Sequence, residues 1–320
     1  MISDENKAFF KDKEILITGG TGTMGNEVTK LLCECYQPKG IRIFSRDELK
    51  QKEMEVKFKK YDIPISYLLG DIRDLNRLNL ALKGVDYVIH TAALKDIVKC
   101  EKDPTEAIRT NIEGSKNVIM ACLENKIKKC MFISTDKAVY PVNLYGSTKM
   151  VAERLFISAN SYCPKDNIFS VCRYGNVIGS RGSVIQLFQK QKEETNILKI
   201  TSLDMTRFWI TINEVAHFIL DSIVEAKGKD IHIPRMEGVK IVDVTVLMGK
   251  DFCGLEEIGI RESEKLHECL ISLEESYHAI VLNDKYVIDY DFYNPVPFTY
   301  SSDFSLMSQE TLKRKLKEFL

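Results

Sequence analysis

The chain has 320 residues, enough for one large domain or two modest ones. Its 45 Lys and Arg against 46 Asp and Glu leave a formal charge of −1, so no bulk electrostatic attraction draws it to nucleic acid or to an anionic membrane. With 44% hydrophobic and 28% charged residues, no apolar run near the roughly 18 residues of a membrane helix, and a charged N-terminal stretch unlike a signal peptide, it reads as a globular protein expected in the cytoplasm.

Short apolar or β-branched runs predict strands at Glu14–Thr18, Ile41–Ser45, Ile65–Leu69, Tyr87–His90, Met131–Ser134 and Phe169–Cys172. Helical spacing fills the gaps, at Met24–Cys35 and most clearly at Glu106–Leu123, where Ile108, Ile112, Val118 and Met120 fall near one stripe. This alternation predicts βαβ units and a parallel sheet covered on both faces. After residue 180 the rhythm changes: helices at Gln186–Glu194 and Glu214–Ala226, strands at Asp230–Ile233 and Tyr286–Ile288, and an extended stretch with prolines at 294–300. The expected fold is α/β, a Rossmann-type doubly wound parallel sheet with a smaller mixed α/β C-terminal substrate lobe. Residues 1–180 with about 209–235 would form the first unit, and about 181–208 with 236–320 the second. The nine cysteines are scattered without a C-x-x-C pair and read as reduced thiols; the five histidines show no zinc-ligand spacing, so no metal is expected.

Four constellations carry chemistry. The first is TGGTGTMG at 18–25, where Gly19, Gly22 and Gly25 follow the first strand and open the first helix. Glycine there permits a tight turn and lets a pyrophosphate approach the helix N-terminus, with Thr21, Thr23 and Met24 beside it. The second is Ser45-Arg46-Asp47 with Lys50, after strand two. An acidic residue at that strand end accepts from the ribose of NAD; Ser45, Arg46 and Lys50 instead donate to a 2′-phosphate, which favours NADP, while Asp47 suits a helix N-cap. A solvated helix start, or NAD, is the alternative. Asp71 and Ile72 after strand three, and Ala92 and Ala93 after strand four, stand where the same cofactor would pass. The third is Tyr145-x-x-x-Lys149, one helical face at the carboxyl edge of the sheet, where an ammonium can lower a phenol for proton transfer. The fourth is Ser134-Thr135-Asp136-Lys137 at the end of strand five, an acid and an amine beside Tyr145, readable also as a loop salt bridge.

In its ordered blocks the chain resembles the extended short-chain dehydrogenase/reductases, and within them the UDP-N-acetylglucosamine 4,6-dehydratases of the C5-inverting, pseudaminic-acid type. The blocks are the glycine loop, SRDELKQ (45–51), GDIRD (70–74), AALK (92–95), STDKA (134–138), NLYGSTK (143–149), RYGNVIGSRGSV (173–184), MTRFWIT (205–211), GIRESEKLHE (259–268) and YSS near 300. The resemblance implies Asp136, Lys137, Tyr145 and Lys149 as catalytic residues. It implies Lys95, Thr135, Asn176, Arg181, Ser183, Arg207, Arg261 and Glu264 as contacts to a UDP-sugar. It implies a homo-oligomer, dimer or higher. In the implied reaction Tyr145 takes the C4 hydroxyl proton and Lys137 the C5 proton, and Asp136 protonates the departing C6 hydroxyl. Burial is expected to lower the lysine enough for this. A partial dehydratase releasing a 5,6-ene, a 4-epimerase or reductase, and a non-catalytic NADP-binding sensor are the alternatives.

The chain departs from the family pattern at three places. Glu262-Ser263 stand for Pro-Gly, Val139-Tyr140 for Ala-Asn, and Asp96 for His. Because serine enters the left-handed region less readily than glycine, the loop at Ser263 is expected to change shape.

Overall fold

The computed structural model describes residues 3–164, 166–180, 183–248 and 254–317. The apolar runs become six parallel strands: β1 (Glu14–Thr18), β2 (Gly40–Ser45), β3 (Ile65–Leu69), β4 (Tyr87–His90), β5 (Lys129–Thr135) and β6 (Ile168–Tyr174). They lie in the order β3-β2-β1-β4-β5-β6. The order reverses between β1 and β4, and there the strand ends splay and leave a crevice. Ile15, Leu16 and Ile17 are fully buried, as a strand covered on both faces requires. This is the Rossmann-type doubly wound sheet.

Beyond β6 the sheet gains Asp230–Pro234 in parallel, then Lys285–Asp289 and Ala279–Val281 antiparallel, nine strands among the described residues. Residues 279–289, expected in the second lobe, therefore extend the first lobe's sheet. A strand of three to five residues reads the same whichever sheet it joins; its partner, here Asp230–Pro234, decides.

The second lobe has its own core, with Phe188, Leu198, Trp209 and Val244 among its buried side chains. Its frame is a three-stranded sheet of Gly238–Lys240, Thr206–Ile210 and Asn176–Val177. Helices Val184–Glu194, Ile241–Met248 and Gln309–Leu316 carry buried side chains of this core.

The stretch read as one helix over 106–123 is broken. Pro104–Ile108 runs into a wide π turn at Arg109–Glu113, and Gly114–Glu124 follows. The extra residue in the turn rotates the face: Ile108 and Met120 are 40% and 46% exposed, while Val118 and Ile119 are buried. A Cβ on Gly114 would lie 2.6 Å from Ile72 Cδ1, so a larger residue there would displace the buried Ile72 side chain. Each described cysteine is a free thiol; Cys253 lies outside the described residues. No described helix is long and apolar enough to cross a membrane.

Candidate active site

A cleft of about 1190 Å³ opens along the carboxyl ends of β1 to β6 and reaches the second lobe at Ser183 and Trp209. Its floor is the turn after β1. Gly19 has φ +65°, and a Cβ on it would sit 2.8 Å from the Ala92 backbone, so the strand ends of β1 and β4 meet only because both residues are small. Gly22 caps helix Thr23–Leu31 without a side chain, leaving the first-turn N–H groups facing the cleft. That cradle fits a pyrophosphate. Gly25 does not line the cleft: its Cβ would lie 2.4 Å from the Gly20 backbone, so it is needed for helix-to-turn packing and is not a ligand contact.

At the far end Asp47 is the helix N-cap, accepting from Lys50 N at 3.0 Å, as its position predicts. It also pairs with Lys50 Nζ at 2.5 Å. Arg46 pairs with Asp71 at 3.5 Å, and Asp71 further holds Arg73 at 2.7 Å. Asp71 is therefore the counter-charge of two arginines. Ser45 is buried, and its hydroxyl accepts from Gln51.

The middle of the cleft is set by the π turn. Its Asn111 accepts from Leu94 N at 2.8 Å and donates to Leu94 O at 2.9 Å and to Thr148 at 3.0 Å. This fixes the loop that carries Ala93 and Lys95 against the helix Leu144–Ala159. That helix starts at Asn143, whose Oδ1 accepts from Gly146 N while its Nδ2 donates to Ser263 O at 3.0 Å. Tyr145 and Lys149 follow on one face and both line the cleft.

Tyr145 is a neutral phenol here. Burial pushes it up to about 12 and Asp136 adds to this, against Lys137 and a hydrogen bond with Thr135. Lys149 does not offset that rise, contrary to the expectation from spacing alone. Its Nζ donates to Ile133 O at 2.5 Å and sits 3.9 Å over the Phe132 ring. Burial brings Lys149 down from 10.5 to about 7, while Glu153 holds it up.

At the end of β5, Lys137 Nζ lies 3.0 Å from Asp136 Oδ1, 3.4 Å from Asn176 Oδ1 and 3.3 Å from Glu268 Oε1. Glu268 in turn lies 3.4 Å from Lys265 and 4.0 Å from Arg207. Lys137 lines the cleft; Asp136 is 0% exposed and lies behind it. The lysine is not lowered, as burial alone led us to expect. Burial opposes its charge, but Asp136 and Glu268 together more than offset that and hold the ammonium well above its ordinary range. Asp136 moves up, through burial and the like charge of Glu268, despite Lys137.

A family model described as polysaccharide biosynthesis protein matches residues 15–290. The chain belongs to the polysaccharide biosynthesis protein family. The UDP-N-acetylglucosamine 4,6-dehydratase (inverting) of Campylobacter jejuni is 46% identical, over 87% of this chain and 83% of its own length. A further relative, named UDP-glucose 4-epimerase, from Rickettsia conorii, is 39% identical over 88% of this chain and 84% of its own length. The X-ray structure of Pen from Bacillus thuringiensis superposes with a TM-score of 0.91 at 38% identity, over 97% of this chain and 98% of that one. The resemblance read from the motifs, to the inverting dehydratases of the extended short-chain dehydrogenase/reductases, is borne out.

All the residues singled out for a cofactor except Gly25 line this cleft. Of those singled out for the sugar nucleotide, Lys95, Thr135, Asn176 and Ser183 line it. Arg207, Arg261 and Glu264 do not. Arg207 is buried on Thr206–Ile210 and pairs with Glu264 at 3.2 Å, while Arg261 is exposed on the loop. Arg181 lies outside the described residues. Ser263 does take the left-handed conformation, φ +66°, so the loop keeps a shape that suits glycine; such a residue is strained by about 1–2 kcal/mol. Asp96 caps helix Ile97–Lys102, and Tyr140 donates to Glu274 at 2.6 Å. Asn111 and Glu268 were missed. The first sat inside what read as a plain helix, and the second had only the final letter of GIRESEKLHE to mark it.

The Lys149 shift makes a stability prediction. Between about 7 and 10.5 the unfolded chain binds this proton and the folded chain does not, so folding is favoured as pH rises through that window. The stability of the wild type relative to Lys149→Met, measured by urea denaturation, will rise from pH 7 to pH 10; a constant difference would show an unperturbed amine.

Proposed function

We propose that the chain is an NADP-dependent UDP-N-acetylglucosamine 4,6-dehydratase that inverts C5 and yields a UDP-4-keto-6-deoxy-hexosamine for bacterial surface-glycan or pseudaminic acid synthesis. The observation that carries this reading is the Asp136–Lys137 pair beside Tyr145. Oxidation alone, or epimerisation at C4, needs Tyr145 and Lys149 only. Loss of water needs a further group that removes a carbon acid proton and protonates a leaving hydroxyl. The 46% identity to a relative named for that reaction supports it.

A bound nicotinamide would supply hydride acceptance from C4 and hydride return to C6. Gly19, Gly22 and the first turn of helix Thr23–Leu31 would hold its phosphates, and Arg46 and Lys50, paired in this structure with Asp71 and Asp47, would be the donors to a 2′-phosphate. As a phenolate, its own proton having first passed to solvent in the cleft, Tyr145 takes the C4 hydroxyl proton, and the resulting ketone acidifies the C5 hydrogen. Lys137, the member of its cluster that faces the cleft, takes that hydrogen once its own proton has passed back to Asp136. It then protonates the departing C6 hydroxyl, and once C6 has regained hydride the enolate takes a solvent-derived proton at C5. Asp136 acts through Lys137 in this scheme, because it lies behind it. Lys95, Thr135, Asn176 and Ser183 are the contacts proposed for the sugar nucleotide, with Arg207, Arg261 and Glu264 shaping the loop beside it. A homo-oligomer, dimer or higher, in the cytoplasm belongs to the same proposal, with the exposed apolar side chains of Ile108 and Met120 on helices available for pairing across a two-fold axis.

The 4-epimerase name of the Rickettsia relative makes epimerisation the second reading. Product NMR separates the two. In D₂O a dehydratase places deuterium at C5, and substrate deuterated at C4 delivers the label to C6 of the same molecule. Lys137→Ala will lose both by about 10²–10⁴-fold, and Tyr145→Phe will stop the first oxidation. A UDP-galactose-type product with no deuterium at C5 establishes the epimerase, and a 5,6-double bond the partial dehydratase. For the cofactor, the purified protein will prefer NADP to NAD by equilibrium binding, and Arg46→Ala will erase the preference; equal affinities in the wild type would sink it. Light scattering at micromolar concentration will read a mass of two protomers or more, and a monomer mass refutes the assembly.

A further inference from the structure

We propose that Glu268 is the positioning residue of the acid–base lysine: it fixes the Lys137 ammonium at the cleft wall and sets how the proton is divided between Lys137 and Asp136. This rests on the dehydratase reading for its purpose but not for its geometry. An ammonium has three N–H donors and no acceptor. Lys137 meets three oxygens, two by hydrogen bonds, to Asp136 and Asn176, and the third as the ion pair to Glu268 at 3.3 Å. The Asp136 link is along the chain and the Asn176 link is neutral. Glu268 alone brings a second negative charge from a distant segment, the residues just before strand Cys269–Ile271.

Glu268 is 3% exposed, and its backbone is fixed by Ser302, whose hydroxyl accepts from Glu268 N at 3.0 Å. Yet Asp136 Oδ2 is buried without a hydrogen-bond partner among the described residues, and Glu268 Oε2 has only its ion pair to Lys265 at 3.4 Å. A carboxylate placed only to brace the fold would have both its oxygens satisfied by hydrogen bonds. Two oxygens lacking such bonds, on either side of one lysine, describe a site that holds protons and can move them. Among the described residues, the titratable and charged groups around Lys137 are Asp136 on its own turn, the neutral Tyr145 from helix Leu144–Ala159, Arg207 from Thr206–Ile210, and Glu268 with Lys265 beyond it. Arg207 favours loss of the lysine proton, and the two carboxylates favour its retention. Glu268 also raises Asp136 by like charge, so removing it pushes both members of the pair in the same direction, towards lower pH.

Competitive labelling with acetic anhydride at pH 8 tests this without turnover, because only the neutral amine reacts. Labelling of Lys137, read by mass spectrometry against exposed Lys52, will rise about tenfold or more in Glu268→Gln, the size of effect an adjacent opposite charge exerts. Glu268→Asp will give a smaller rise. Lys265→Met, which strips a cation from Glu268, will slow the labelling, whereas a merely loosened site would speed it in both. Both limbs of the kcat–pH profile of Glu268→Gln will move to lower pH, with KM for the UDP-sugar unchanged. Unchanged labelling in Glu268→Gln, or faster labelling in Lys265→Met as well, overturns the role of Glu268. Shifted labelling in a protein whose wild type leaves UDP-N-acetylglucosamine untouched overturns the dehydratase reading and leaves Glu268 in place.

Discussion

One buried guanidinium holds the two halves of the site in register. Arg173, at the end of β6, is 1% exposed and makes bidentate contact with both Glu153 and Glu275, and donates to Leu270 O at 2.9 Å. Glu153 is one helical turn beyond Lys149, and Glu275 sits in helix Leu273–Ser276, shortly after Glu268. The helix that carries Tyr145 and the segment that carries Glu268 are thus tied to the same strand by the same side chain. Removing one partner from a buried charged set of this kind leaves an uncompensated charge and costs about 3–5 kcal/mol. The cation contributes little as net attraction; its consequence is that neither segment can shift without desolvated charges losing their partners.

That rigidity lets the cleft store ionisable groups far from their ordinary states. Tyr145 is pushed up and Lys149 down by the same burial, because a low dielectric penalises whichever form is charged. Lys137 goes up in the same burial only because two carboxylates flank it. Three groups on neighbouring elements thus have very different proton affinities, which is the condition for assigning acid and base roles within one site. The loop after β4 and the N-terminus of helix Leu144–Ala159 are pinned by Asn111 and Asn143, each of which satisfies both its donor and its acceptor.

Relatives at 46% and 39% identity carry names for different reactions, so the scaffold does not itself decide the chemistry. The reading proposed for this chain therefore rests on its own proton machinery at the end of β5 and across from it, Asp136, Lys137 and Glu268. The departures of this chain from its family's pattern fall outside that machinery. Asp96 caps a helix, Tyr140 bonds to a surface glutamate, and Ser263 reproduces a glycine's backbone conformation at a cost in strain.

The sequence by itself determined whatever is local. Strand and helix periodicity gave the six parallel strands to within two residues at their ends, since burial on both faces demands unbroken apolar runs. The glycine spacing and the Tyr145–Lys149 interval named residues that do line one cleft, because a turn and a helical face are set by neighbours in the chain. The tertiary structure decided whatever depends on distant segments meeting. The π turn that exposes Met120 reflects packing against Ile72 and Leu94, and the sheet membership of 279–289 reflects its pairing with Asp230–Pro234. Above all, the charge on Lys137 depends on Glu268, which reaches it from the other end of the chain. Burial is visible in a hydrophobic pattern, but the sign of a pKa shift is set by which charges arrive alongside, and only the folded chain brings them there.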